Sequence, residues 1–247
     1  MRVRHSSLVS SILITVVLLS AGPNRFALAN GPTPAETGQS VGAQAVLYDQ
    51  TDTPDPSFRI LSQDFLDAGL DGVDSFAADD FVVPANQIWQ ITSVEVLGIY
   101  DGNGDHTPPS VNVFFYSTSI TLPTSTPLIT VTNVVPTGLP SSNFTITLSS
   151  PATLSTGAYW LSVQANMFYT GPSGQRQWLW RERLAQANNR AAWKNPGGQA
   201  NLGKCIDWGV VDGGCFPEAD NSPDLLFRLN GTALSAANKV YLPLVRK

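Results

Sequence analysis

Trp178 and Trp180 stand two residues apart in an arginine-studded segment, QRQWLWRER, and Trp193 follows shortly after. In an extended strand, residues two apart point to the same face, so the two rings share one side. Exposed indole rings stack on sugar rings, and arginine binds hydroxyls or acidic groups. Trp178, Trp180 and Trp193 with Arg176, Arg181 and Arg183 therefore form the candidate ligand-binding set, and an extracellular polysaccharide is the ligand such a face suits. The same residues admit a second reading, in which the indoles fill a core and the arginines lie over the rings as cation–π partners.

Oxygen-bearing side chains recur at alternate positions in Asp101-Gly102-Asn103-Gly104-Asp105. Calcium takes about six to eight oxygens, and glycine lets a loop wrap the ion. An EF-hand is excluded, because Asn112 stands where its last acid belongs and His106 where its glycine belongs. What remains is a looser calcium turn or a plain hairpin without an ion. Asp79 and Asp80 form a second candidate metal pair, beside Asp67, Asp71 and Asp74. Structural Ca²⁺ is the only cofactor these patterns suggest. Catalysis has less support: His106 is the single histidine after the N-terminal leader, and no H-E-x-x-H, G-x-S-x-G or P-loop spacing occurs. A glycan hydrolase working through paired carboxylates is the enzymatic alternative.

The elements that hold these residues begin after an export signal. Arg2, Arg4 and His5 precede an apolar run, Leu8–Leu19, and Ala27-Leu28-Ala29 is a small-x-small cleavage site. That run has 12 residues, whereas a bilayer span needs about 20. Residues 1–29 therefore read as a cleaved signal peptide, 30–44 as a flexible leader, 45–232 as the folded domain, and 233–247 as a linker and tail. In the oxidising compartment this implies, Cys205 and Cys215, close together in a glycine-rich stretch, are expected to form a disulfide.

The 247 residues are 43% hydrophobic and 13% charged with a net charge of -5, which argues against disorder and against a basic nucleic-acid surface. The charge is partitioned. Residues 36–105 hold 13 acids and one base, 106–175 hold no Asp, Glu, Lys or Arg, 176–204 hold six bases and one acid, and 205–224 hold five acids and no base.

Short runs rich in Val, Ile, Thr and aromatic residues recur between Gly, Pro and Asn breaks. They are Ala45–Tyr48, Phe58–Leu61, Phe76–Val83, Ile88–Tyr100, Val111–Thr118, Leu128–Thr132, Phe144–Leu148, Ala158–Ala165, Gln177–Arg183, Ala191–Lys194 and Leu225–Leu229. The expected fold is all-β, an antiparallel β-sandwich of jelly-roll type. Only Glu182–Asn189 carries local helical character.

The segments YDQTD, SQDF, FAADDFVVPANQIWQITSVEVLGIYDG, AYWLSVQAN, GQRQWLWRERLAQANNRAAWKNPGG and DLLFRLNGT follow one another between residues 48 and 232. In this order they resemble an all-β domain that recurs in large exported bacterial surface proteins, beside adhesion or anchoring modules. The resemblance implies a sandwich fold and an extracellular role, and supplies no catalytic residues. The end of the chain, KVYLPLVRK, resembles C-terminal sorting or attachment segments of exported proteins, and reads otherwise as an edge strand broken by Pro243. The expectation is a secreted, non-catalytic binding or adhesion module that contacts polysaccharide or another surface protein, with no nucleic-acid partner and no membrane span. The alternative is a purely structural envelope component without a small ligand.

Overall fold

Alternating Val, Ile, Phe and Thr side chains favour extended backbone. A computed structural model of the chain describes residues 44–102, 107–171, 174–200, 203–216 and 222–236, and is built of strands. They are β1 (Ala45–Asp49), β2 (Pro54–Leu61), β3 (Gln63–Phe65), β4 (Phe76–Val96), β5 (Gly98–Gly102), β6 (Ser110–Ser119), β7 (Leu122–Pro123) and β8 (Ile129–Val134). There follow β9 (Phe144–Met167), β10 (Thr170–Gly171), β11 (Gly174–Arg183), β12 (Ala192–Lys194), β13 (Gly209–Val210), β14 (Asp224–Leu225) and β15 (Phe227–Ser235). The signal peptide, nearly all of the expected leader, most of the tail, Asn103, Asp105 and His106 lie outside the described residues.

Two long strands make the spine. β4 and β9 pair antiparallel along their lengths, Ala78–Val83 against Gly157–Ser162 and Ile88–Val96 against Phe144–Ser155. The expected runs divide each of them in two, with gaps at 84–87 and 149–157 that hold Pro84 and Gly157. In the structure both sit at one bulge: the register shifts between Val83 and Ile88, and the Thr156 hydroxyl donates to the carbonyl oxygens of Pro84 and Gln87 at 3.0 and 3.3 Å. Proline is tolerated there because a bulge spares it a ladder hydrogen bond. Around the spine the larger sheet runs β1-β15-β4-β9-β6-β7, with β12 also on β4, β3 on β9 and β8 on β6. β15 continues to Ser235 opposite Gln87, three residues beyond the expected domain end at 232.

The smaller sheet is organised on β11, which pairs β2 along one edge and β5 and β14 along the other. The two sheets pack as an antiparallel sandwich around one main core. Phe144 stacks on Trp178 at 4.9 Å between ring centroids, and Trp180 meets Phe227 edge-on at 6.4 Å. No α-helix forms over Glu182–Asn189: β11 runs through Arg183, and 184–190 are irregular, with bends at 184–185 and 188–189. The backbone there is tied outward instead, as Ala187 N–H donates to Asp224 and Asn189 N–H to Asp80. No helix among the described residues is long and apolar enough to cross a membrane.

Gly98 shows how closely β5 packs against the indoles of β11. A Cβ built there falls 2.2 Å from Trp178 Nε1, whose N–H donates to the Ser142 carbonyl oxygen at 2.8 Å. Gly98→Ala therefore forces the indole from its place, and overpacking of this kind is expected to lower unfolding free energy by about 1–3 kcal/mol. Chemical denaturation of the variant checks this; an unchanged midpoint contradicts it.

Candidate functional site

β11 decides where the sequence-predicted ligand residues go. Trp178 and Trp180 do share a face, and it is the inner one: both are 0% exposed. The same two-residue period sends Leu179 and Arg181 to the opposite side. The expected platform of indoles and arginines therefore does not form, because a fully buried ring offers no face to a sugar. Arg176 is half-buried at the start of the strand. Arg183 is turned to structural use, bridging Asp52 at 2.7 Å and buried Asp224 at 3.5 Å.

Trp193 is 1% exposed, and its N–H donates to the Leu61 carbonyl oxygen at 2.9 Å. Its ring forms one wall of a groove of about 480 Å³. Phe58, Arg59, Ile60 and Leu61 of β2 line one side, Leu179 and Glu182 of β11 continue it, and Ala200, Val211 and Phe216 close it. Phe216 meets Trp193 edge-on at 5.0 Å. The segment carrying these last residues is held by the Cys205–Cys215 disulfide, which the structure contains. Gly209 lets the bridge lie flat, since a Cβ there falls 2.5 Å from Cys205 Sγ. The groove is thus an apolar slot with one carboxylate, Glu182, in a wall and Arg59 at the rim. Its linings come from three separate stretches of sequence, and only Trp193 belongs to the predicted set.

The acidic candidates separate as their alternation requires. Asp79 faces inward, accepting from Gln50 Nε2 and the Leu225 N–H, both at 2.6 Å. Asp80 faces the other side of the sheet and caps the bend at Asn189, whose Nδ2 donates at 2.6 Å. Asp224 lies near both, and its carboxylate accepts from the Ala187 N–H at 2.5 Å. Burial pushes the Asp79 carboxyl well above its usual range, with the charge of Asp224 adding to it. Burial likewise raises Asp80 to about 6 and Asp224 to about 7, Arg183 and the Ala187 N–H holding the latter down. The oxygens of Asp79 and Asp80 are thus engaged by protein donors, and the cluster is a clamp rather than an open site. Asp101 is exposed on β5. Among the described residues, no group of three or more His, Cys, Asp or Glu side chains is arranged to hold a metal.

Sequence reasoning missed Gln50, Glu182 and Asp224 as members of these sites. Gln50 carries no periodic signal; Asp224, directly before the apolar LLF of the closing strand, was the one visible hint. Neither a protein-family model nor a curated protein sequence matches the chain.

The clamp makes stability depend on pH. Above about pH 4 an unfolded aspartate loses its proton, whereas in the fold Asp80 keeps its own to about pH 6, Asp224 to about pH 7 and Asp79 beyond the usual carboxylate range, so native stability falls as pH rises through that window. Asp49, Asp55 and Asp67 act oppositely: burial raises them, but hydrogen bonds such as those from Thr51, Ser222 and Thr170 outweigh it and hold them below the usual range. Their contribution is lost only below about pH 4. The melting temperature is therefore expected to peak in mild acid and fall toward pH 8, and Asp224→Asn to flatten that fall. A wild-type melting temperature that rises from pH 5 to pH 8 contradicts this.

Proposed function

We propose that the chain is an exported, non-catalytic binding module of the cell surface, whose partner is another surface protein. An extended segment of that partner lays an apolar side chain into the groove between β2, β11 and the disulfide-held segment. The single observation that carries this is the groove: about 480 Å³, walled by Phe58, Leu179, Trp193 and Phe216, with a carboxylate set among apolar side chains. Its size falls within the range of about 300–1,000 Å³ typical of ligand sites. An apolar wall favours a side chain over a polyhydroxylated chain. Export is supported by the N-terminal signal pattern, by a disulfide of the kind oxidising compartments allow, and by the resemblance to exported bacterial surface domains.

Panning a displayed peptide library on the purified chain tests the reading. Selected peptides should share an aromatic or aliphatic residue at a fixed position. They should bind Ala200→Trp, which fills the groove, about ten-fold more weakly or worse. Peptides that bind both proteins equally, or no enrichment at all, contradict it.

A further inference from the structure

Four of the six tryptophans place their indole N–H on a protein acceptor: Trp89 on Gln87, Trp178 on Ser142, Trp180 on Leu226 and Trp193 on Leu61, at 2.8 to 2.9 Å. The two that do not, Trp160 and Trp208, lie together on the outer face of the larger sheet. Trp160 pairs across strands with Tyr116, and the Tyr116 ring meets Trp208 edge-on at 5.4 Å. Ser162 lies on the same face, two residues along β9. Its hydroxyl, that of Thr118 and both indole nitrogens are buried with no hydrogen-bond partner among the described residues. Buried donors are almost always satisfied, so four unsatisfied groups set this patch apart from the rest of the sheet.

Trp208 is also the only tryptophan that is not buried; the other five are at most 3% exposed. The Lys194 ammonium covers its ring at 4.5 Å and fixes it against Tyr116. It lines a cleft of about 450 Å³ with Asp207, Ser119, Thr121 and Ser125. The β6–β7 turn forms the far side, with Ile120 held at φ 58° and 94% exposed.

From this juxtaposition we infer that the cleft between Trp208 and the β6–β7 turn is a saccharide-binding site, distinct from the apolar groove. A sugar presents an apolar ring face to the indole and hydroxyls that both donate and accept. Asp207 accepts hydrogen bonds from them, and the exposed Ser and Thr hydroxyls serve either role. A neutral oligosaccharide fits this set better than an acidic one, because Asp207 stands at the rim.

Two-dimensional NMR of the full chain, reading the indole N–H resonances, tests this with cellohexaose, xylohexaose, laminarihexaose and chitohexaose. With at least one of them, the Trp208 and Trp160 resonances should shift while those of Trp178, Trp180 and Trp89 stay in place. Asp207→Ala and Trp208→Ala should each weaken the binding about ten-fold or more, and Ala200→Trp in the groove should leave it unchanged. No shift at millimolar sugar, shifts confined to Trp193, or binding that survives both substitutions overturns the inference.

Discussion

Two indole rings wedged between the sheets set the terms for the rest of the molecule. Trp178 and Trp180 project from the central strand of the smaller sheet onto Phe144 and Phe227 of the larger. Rings of that size bury a large apolar area and bond their N–H groups only where a carbonyl is in reach, here Ser142 and Leu226. Their neighbours are constrained in turn. Gly98 must lack a side chain, β2 and β5 must flank β11, and the odd-numbered residues of β11 must face away. The apolar groove follows from that last condition, since Leu179 reaches it from beside the two indoles.

At one end of the sandwich a second constraint acts with opposite chemistry. Asp79, Asp80 and Asp224 gather where four chain segments meet, and their hydrogen bonds hold Gln50, Ala187 and Asn189. Burying carboxyls disfavours their charged forms, so these groups hold protons at pH values where exposed aspartates do not. The arrangement fixes the irregular 184–190 stretch against the larger sheet, and that stretch leads the chain into β12 and thereby places Trp193 and Lys194. One face of the sheet then carries the groove wall and the other the Trp208 patch.

Much of the architecture was legible in the sequence. Apolar alternation located the strands because a half-buried strand must alternate, and the close cysteine pair reported a disulfide that the structure contains. What alternation did not reveal was which face is inside. Trp178 and Trp180 fit a surface platform and a core wedge equally well by spacing, and only the packing of Phe144 and Phe227 against them decides it. Nor did Pro84 and Gly157 announce themselves as a bulge rather than two turns, since local chemistry is the same in both. The Trp208 patch was illegible for another reason: Trp160, Lys194 and Trp208 come from distant segments, and only sheet register unites them.

Removal of the wedge tests the account most directly. Urea unfolding of Trp178→Ala and Trp180→Ala should each show a loss of about 3–5 kcal/mol, the range for deleting a large buried aromatic ring. Variants that unfold at the wild-type midpoint would mean that these rings stand on the surface, and the assignment of core and binding faces would fall with them.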